Sequence, residues 1–254
     1  MIYLSFDIEE FDMPKEYGFD IPFERQMAIS REGLTAILDL LQKHEAKATF
    51  FSTVIFAQNA PELIQRLLSE GHELASHTYY HSDFAIEHLH TSKKALESQF
   101  GVTVEGLRMP RMLEVSATDV KQAGYTYNSS VNPTFLPGRY NKLHVPRAMF
   151  REHDLWQIPA GVSPWRIPLF WLSFHNFPLW YYKHLLSRTV ESLGYAALYF
   201  HPWEFTNLHQ KEFNFPFYVM RNTGEAMITR FDKLLSFAKK NNWKVENYKK
   251  LIEK

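Results

Sequence analysis

The sequence contains no cysteine among its 254 residues. Disulfide bonds are therefore excluded, and a bound metal ion would need histidine and carboxylate ligands instead of thiolates. The chain has 28 basic and 28 acidic residues, so its net charge is zero and it shows no basic excess of the kind that favours nucleic-acid binding. It also lacks an uninterrupted apolar run of about 18 residues, and we therefore expect no transmembrane segment.

Two further sequence signals are missing. No G-x-G-x-x-G or G-x-x-x-x-G-K loop is present, which argues against dinucleotide-binding and phosphate-loop folds. The first residues lack the basic region and the long apolar stretch of a secretory signal peptide. From this second absence we expect a cytoplasmic location.

Aromatic residues are frequent, at 16% of the chain, and they concentrate between Trp156 and Phe217. Such a concentration fits a glycan-binding cleft, but it equally fits a packed core or an interface. Within it, residues 167–182 are apolar and rich in tryptophan, although His175, Asn176 and two prolines interrupt them. This segment either contacts a membrane surface or a lipid-linked substrate, or it closes one end of the fold.

Strand-length apolar runs alternate with helical patterns along the chain. The predicted strands cover residues 2–6, 48–51, 73–75, 104–108, 125–128, 155–159 and 195–200. One predicted helix follows a cap at Ser30, and the others cover residues 62–70, 82–100, 116–123, 178–193 and about 223–240, before a final strand and helix. This alternation is typical of a parallel sheet, and about seven such units without a phosphate loop favour a barrel. We therefore expect residues 1–254 to form a single α/β domain, a (β/α) barrel of about seven parallel strands.

Polar side chains stand where five of the predicted strands end, and α/β barrels carry their chemistry at the carboxyl ends of the strands. These side chains belong to Asp7, Glu9, His77, His81, Arg108, Asn128 and His201. Each has a simple structural explanation by itself, such as a turn cap, an ion pair or a satisfied hydrogen bond. Their joint placement at one end of one barrel points instead to a functional site.

His77 and His81 are four residues apart, directly after a predicted strand. One helical turn at that point would place both rings on the same face, within reach of one metal ion. Two imidazoles and one carboxylate make the three-ligand pattern of a catalytic zinc centre, and either Asp7 or Glu9 can complete it while the other acts as a base. An acid is also needed to protonate a leaving group, and His201 is the candidate.

Five segments occur in an order that resembles the motif series of one known family. They are residues 5–9 (S-F-D-I-E), 71–81 (G-H-E-L-A-S-H-T-Y-Y-H), 107–111 (L-R-M-P-R), 124–130 (G-Y-T-Y-N-S-S) and 198–205 (L-Y-F-H-P-W-E-F). The series is similar to that of the polysaccharide deacetylase family, also called carbohydrate esterase family four or the NodB-homology domain. The H-P-W-E-F form, together with Ile158 and Pro159, resembles the branch of that family found in exopolysaccharide gene clusters.

The resemblance implies a distorted (β/α) barrel of seven strands and metal-dependent removal of N-acetyl groups from sugars. It places Asp7 at the catalytic base, Arg108 at the arginine that pairs with this base, and His201 at the catalytic acid. The implied ligands of a divalent ion, expected to be Zn²⁺, are Glu9, His77 and His81. The implied substrate is an N-acetylated glycan, which is a polysaccharide, an oligosaccharide or a lipid-linked sugar.

Two positions depart from the family pattern. Ile8 stands where the common metal-binding aspartate is expected, although one branch of the family carries its acidic ligand two residues after the base, as Glu9 does. Asn128 stands where aspartate is usual, so the acid histidine needs another partner, for which Glu204 and Asp154 are candidates. The residues expected to contact the sugar are Trp203, Tyr127 and Asn128. Packing at a strand end is the alternative for the two aromatic residues.

Three alternatives follow from the same residues. A deformylase or cyclic amidase would use the same metal centre on a different carbonyl. A glycosidase would pair carboxylates such as Asp7 and Glu204 without a metal, and it would leave His77 and His81 unexplained. The two departures from the family pattern also fit a non-catalytic glycan-binding relative.

Overall fold

A curved, mostly parallel β-sheet organises the computed structural model, which describes residues 1–137 and 140–253. The strands of this sheet and of a separate hairpin (β6 with β7) are β1 (Ile2–Ile8), β2 (Thr49–Ser52), β3 (Glu73–Ser76), β4 (Gly106–Leu107), β5 (Tyr127–Asn128), β6 (Phe135–Leu136), β7 (Tyr140–Asn141), β8 (Phe150–Glu152), β9 (Leu155–Gln157), β10 (Ala196–Phe200) and β11 (Val245–Glu246). Seven strands, in the spatial order β10-β1-β2-β3-β4-β5-β9, pair in parallel. β8 pairs antiparallel with β9, and β11 pairs with the start of β1. The predicted arrangement of about seven parallel strands is therefore confirmed.

The two ends of the parallel series, β9 and β10, are joined by a backbone contact and not by a strand ladder in the described part of the chain. Gly161 lies shortly after β9, and its N–H donates to the carbonyl oxygen of Ala197 in β10 at 2.7 Å. A side chain at Gly161 would overlap that oxygen, so the close approach requires glycine. The sheet thus curls into a distorted barrel that this contact completes.

The longer helices pack outside the sheet, whereas the short helix at the end of the chain contributes Leu251 to the barrel interior. The α-helices are α1 (Phe23–Lys43), α2 (Val54–Asn59), α3 (Pro61–Ser69), α4 (His88–Phe100), α5 (Ala117–Gln122), α6 (Trp171–Asn176), α7 (Leu179–Leu193), α8 (Phe217–Met220), α9 (Glu225–Lys240) and α10 (Lys249–Ile252). Short 3₁₀-helices cover Met13–Tyr17, Pro110–Met112, Pro202–Phe205 and Lys211–Phe213. Within the described residues, no helix has both the length and the apolar character that crossing a bilayer requires.

Alternation along β1 separates the packing residues from the polar residues of its carboxyl end. Leu4, Phe6 and Ile8 are buried in the large cluster between the sheet and the helices. Because successive strand residues point to opposite faces, Tyr3 and Asp7 face the barrel interior. Ile8 therefore serves the core, and the next acidic side chain that can reach the interior rim comes after the strand has ended.

The barrel interior is filled mainly by aromatic and small apolar side chains. Its buried cluster consists of Tyr3, Phe51, Ala75, Tyr127, Ile158, Ala197, Tyr248 and Leu251. Glu73 is an acidic group enclosed with them, and it accepts hydrogen bonds from the hydroxyls of Thr49 (2.5 Å) and Tyr127 (2.9 Å). Burial raises the pKa of the Glu73 carboxyl, because the charged form loses its hydration.

Two helix starts differ from the sequence prediction. α1 is already helical at Ser30, whose hydroxyl donates to the backbone carbonyl oxygen of Glu9 at 2.6 Å. α4 begins at His88 and not at Ser82, whose hydroxyl donates to the carboxylate of Asp12. In both places a serine that resembles a helix cap instead bonds to the loop after β1. The strands β4 and β5 are also shorter than predicted.

Helix α1 packs against the 3₁₀-helix Pro202–Phe205, and a Cβ at Gly33 would overlap the carbonyl oxygen of Pro202. We expect Gly33→Ala to lower the free energy of unfolding by about 1–3 kcal/mol through this overlap. This expected destabilisation is opposite to the effect of helix propensity, which favours alanine over glycine by about 1 kcal/mol. Urea denaturation measures the change, with Glu32→Ala at the exposed neighbouring position as control. A Gly33→Ala variant more stable than wild type would contradict the packing.

Candidate active site

The carboxyl ends of β1, β3, β4 and β10 meet at one edge of the barrel, where a cavity of about 590 Å³ opens. Most of the residues proposed from the sequence lie there. Those that line the cavity are Asp7, Glu9, His77, His81, His201 and Trp203. Arg108 is buried in contact with Asp7. The fold thus brings residues that are far apart in sequence to one place.

Glu9, His77 and His81 form a compact cluster of possible metal ligands. The Oε2 atom of Glu9 lies 3.0 Å from Nε2 of His77 and 3.3 Å from Nε2 of His81. One ligand atom from each residue lies within 4.8 Å of the other two. Glu9 Oε2 is buried and has no hydrogen-bond partner among the described residues. A buried carboxylate oxygen without a donor, facing two imidazole nitrogens, fits a divalent cation of the zinc type.

Both imidazoles are held through their other ring nitrogen. His77 Nδ1 lies 2.8 Å from the carbonyl oxygen of Arg108, and His81 Nδ1 lies 2.6 Å from Oδ1 of Asp12. Bonds of this kind fix the ring and place the proton on Nδ1, so that Nε2 is left to bind a metal. Asp12 was not among the predicted site residues. The acidic composition of residues 7–12 is the sequence signal that could have indicated it.

The segment that carries His81 is a loop, so the predicted helical turn after β3 is wrong. Thr78 has a positive φ of 66°, which is incompatible with an α-helix. The backbone N–H of His81 donates to Glu10 at 3.0 Å, and Thr53 donates to the same carboxylate at 2.8 Å. Glu10 therefore supports the loop, and burial raises the pKa of its carboxyl. The two histidines converge through these tertiary bonds and not through helical spacing.

Asp7 and Arg108 form a buried ion pair. Oδ1 of Asp7 accepts from Nη1 of Arg108 at 2.6 Å, and the arginine donates its remaining hydrogen bonds to Ser129 and Tyr248. Burial alone would raise the pKa of Asp7, but the positive charge of Arg108 outweighs it and the pKa is lowered. Asp7 is therefore ionised at neutral pH, and its Oδ2 lies 3.8 Å from Nε2 of His201.

His201 follows β10 and is paired with Glu204. Its Nδ1 lies 2.9 Å from Oε1 of Glu204, which also accepts from the His201 backbone N–H at 2.6 Å. Burial would lower the pKa of His201, but the hydrogen bond and negative charge of Glu204 outweigh it and the pKa is raised. Glu204 is thus the acidic partner that Asn128 cannot provide. Asp154, the other candidate, is exposed and lies beside Arg151.

The three residues predicted to contact a sugar lie in different places. Trp203 lines the cavity, with its ring stacked at 5.1 Å on that of His201. Tyr127 is wholly buried in the barrel interior, so its predicted place in the cavity is wrong. Asn128 lines a second cavity of about 620 Å³, which adjoins the first through Met112 and Asn132.

The carboxylate pair suggested for a glycosidase, Asp7 with Glu204, is contradicted by the position of Glu204. This residue is fully buried, and its two carboxylate oxygens bond to His201 and to His175 (2.8 Å from Oε2). A carboxyl group engaged on both oxygens cannot also act on a glycosidic bond opposite Asp7. His175 was not predicted as a site residue, since a single histidine in an apolar segment carries no motif.

A family model described as polysaccharide deacetylase matches residues 1–128 of the chain. Among curated proteins, a chitooligosaccharide deacetylase from Bradyrhizobium sp. (strain ANU 289) is 47% identical over 49 residues, which cover 19% of this chain and 22% of that protein. The chain spans less than a quarter of the length of the first curated relatives that it matches.

Solved structures are similar over almost the whole chain. A "putative polysaccharide deacetylase" from Mycobacterium smegmatis superposes with a TM-score of 0.65 at 18% identity, covering 99% of this chain and 88% of that one. A CE4 family pseudoenzyme from Bacillus anthracis superposes with a TM-score of 0.56 at 14% identity, covering 99% and 64% respectively. Likeness at such identities shows the fold alone, and it confirms the predicted deacetylase-type barrel.

The pH dependence of metal binding tests the cluster. Burial would lower the pKa of His81, but the charge of Glu9 and the bond to Asp12 outweigh it and raise the pKa to about 9. A metal ion must displace this proton, so we expect affinity to rise with pH up to about 9 and binding at pH 7 to release about one proton. Calorimetry of zinc binding in buffers of different ionisation enthalpy measures the release.

The matched variant in this experiment is Asp12→Asn, which removes one of the charges that raise the pKa of His81. It should release fewer protons at pH 7 than wild type. Asp20→Asn, at a side chain that is 96% exposed, is the control and should behave like wild type. Zinc binding by wild type without proton release at pH 7 would contradict the described environment of His81.

Proposed function

The chain belongs to the polysaccharide deacetylase family, and we propose that it is a metal-dependent hydrolase that removes an N-acetyl or related acyl group from an amino sugar. The proposed substrate is a polysaccharide, an oligosaccharide or a lipid-linked glycan. One observation carries the proposal: the cluster of Glu9, His77 and His81 shares a cavity with an ionised Asp7 and with His201. Ligands, base and acid for amide hydrolysis are then within one site.

Glu9, His77 and His81 are the proposed ligands of a divalent ion, and Zn²⁺ is the ion that best suits two imidazoles and one carboxylate. When bound, such an ion supplies Lewis acidity, which polarises an amide carbonyl and lowers the pKa of water. The paired Nδ1 atoms of the two histidines keep their Nε2 atoms directed at this position. Ile8 takes no part, because it faces the helical layer.

Asp7 and His201 are the proposed base and acid, and their surroundings set their opposite protonation states. Arg108 keeps Asp7 ionised, so that Asp7 can accept a proton from the attacking water. Glu204 favours the protonated form of His201, so that Nε2 can donate a proton to the departing amine. Two titratable groups with pKa values moved in opposite directions are the usual arrangement for acid–base catalysis at neutral pH.

The walls of the cavity support a carbohydrate substrate. Aromatic side chains form much of its lining, including Trp171, Trp203 and Tyr218, and such rings offer flat apolar faces with polar edges. The adjoining second cavity is lined by hydrogen-bonding groups, among them Asn128 and Gln157. Two adjoining cavities of this size support a substrate of more than one sugar unit.

Two other functions would use the same residues. A deformylase or cyclic amidase would act on a different carbonyl, and a screen of N-acetylated sugars against formylated and cyclic amides separates them. A non-catalytic glycan-binding protein would bind such sugars without releasing an acid. The presence of Asp7, His77, His81 and His201 together favours the enzyme.

The test of the proposed function compares two variants. We expect His77→Ala to lose the metal, and Asp7→Asn to keep it but to lower kcat by about 100-fold or more, because only the base is removed. Elemental analysis measures the metal, and acetate release from N-acetylated oligosaccharides measures turnover. The controls are His209→Ala and Asp83→Asn, which make the same changes at exposed positions.

Each outcome has a separate meaning. Full turnover in Asp7→Asn would refute the assignment of the base. Normal metal content in His77→Ala would refute the ligand set. Activity that resists removal of the metal by chelators would refute metal dependence as a whole.

A further inference from the structure

His175 is a buried histidine that takes no part in the proposed mechanism. It lies in α6, is 0% exposed, and its Nε2 atom lies 2.8 Å from Oε2 of Glu204. The other oxygen of the same carboxylate bonds to the side chain and backbone N–H of His201. One buried carboxylate therefore lies between two imidazoles, and only His201 reaches the cavity.

In the described part of the chain, the carboxylate of Glu204 contacts these two histidines and has no arginine or lysine partner. A fully buried carboxylate loses its hydration, and it stays ionised only if nearby N–H groups replace that hydration. Removing the donor at Oε2 would therefore favour protonation of Glu204. A protonated, uncharged Glu204 would no longer stabilise the positively charged form of His201.

The tautomer of His175 follows from its other ring nitrogen. Nδ1 of His175 is buried and has no hydrogen-bond partner among the described residues. A proton on that atom would be a buried donor without an acceptor, which costs more free energy than a bare lone pair at the same place. The proton of the His175 ring is therefore placed on Nε2, from which it donates to Oε2 of Glu204.

Packing holds the His175 ring in this orientation. Trp171 makes an edge contact with it at 5.8 Å, and Trp203 lies at 6.1 Å. The side chain of Asn222 donates to the His175 carbonyl oxygen at 2.6 Å, which fixes the end of α6. Trp171 also contacts the ring of His201, so the same side chains enclose both histidines.

We propose that His175 is a positioning residue: its Nε2–H keeps Glu204 ionised against His201, and His201 thereby retains the proton that it gives to the leaving amine. The transfer of the proton to a leaving amine rests on the proposed function. The effect of His175 on the protonation of His201 does not depend on it. Other groups facing His201 are Asp7 and Glu9 from the end of β1, Tyr199 on its own strand and Trp171 on α6. None of them changes in the variants used below.

The experiment compares His175→Phe, which removes the donor, with His175→Gln, whose amide N–H can replace it. In zinc-loaded protein we expect His175→Phe to lower the pKa of His201 by about one pH unit or more. Wild type and His175→Gln should agree within about 0.3 unit, on the same basis. Histidine-selective NMR titration reads the pKa of His201 directly, with its resonance assigned by His201→Gln. His184→Phe makes the same change at an exposed histidine and is the control.

Kinetics supply a second readout. In His175→Phe, the alkaline limb of the kcat/KM profile should shift to lower pH by the same amount as the pKa of His201 measured by NMR. The acidic limb and the zinc content should stay as in wild type. If wild type releases no acyl group from any sugar, the proposed function fails and the NMR comparison still tests the coupling. An unchanged His201 titration in folded His175→Phe would overturn the inference, and so would a His175→Gln variant that titrates like His175→Phe.

A further variant covers the case in which His175→Phe does not fold. Glu204→Gln removes the charge itself while keeping the side-chain volume. We expect the pKa of His201 in Glu204→Gln to lie below the wild-type value. The decrease should be at least as large as in any His175 variant that folds. A His201 pKa equal to that of wild type in Glu204→Gln would overturn the proposal, because the charge would then have no effect for His175 to maintain.

Discussion

The buried ion pair between Arg108 and Asp7 is the interaction on which the rest of the site depends. The guanidinium group is fully enclosed, donates to Ser129 as well as to Asp7, and lies 4.2 Å from the ring of Phe51. The carbonyl oxygen of the same residue accepts the bond that orients His77. One arginine thus fixes the proposed base through its side chain and a proposed ligand through its backbone. Because each charge of a buried pair is costly without the other, the pair also ties the end of β4 to the end of β1.

At each titratable group of the site, burial and the charges of adjacent residues shift the pKa in opposite directions. The adjacent residues therefore determine whether the pKa is raised or lowered. Desolvation works against the charged form of every one of these groups. Arg108 overcomes it for Asp7, and Glu204 overcomes it for His201. Glu10 has no arginine or lysine partner among the described ion pairs, and burial prevails there. Acidic residues in one short segment thereby acquire different properties from their surroundings rather than from their side-chain type.

Features that follow from local pattern could be predicted from the sequence. Alternating strand and helix signals, with polar residues at strand ends, were sufficient for the barrel and for the end that carries the site, because parallel strands bring their carboxyl ends together. Partners that are distant in sequence were not predictable in this way. Ser30 and Ser82 resemble helix caps, yet both bond to the loop after β1. Tyr127 faces the barrel interior because of its place in β5, and Asp154 could be set aside in favour of Glu204 only once its exposed turn was known.

The contact between Gly161 and Ala197 has a consequence for how firmly the two sides of the cavity are held together. β10 has β1 as its strand neighbour on one side, and on the other side the barrel has a seam closed by that backbone bond. A seam of this kind can widen without breaking a strand ladder, whereas β1 and β3 are each clamped between two strands. Of all the spacings around the cavity, the one across this seam, between β10 and the segments after β9, is therefore the one that the sheet constrains least, whereas the ladder between β10 and β1 fixes His201 against Asp7. The proposed ligands, base and acid are thus held by one continuous ladder, and the part of the cavity wall that can adjust to a bulky substrate lies across the seam, where Phe170 and Trp171 follow β9.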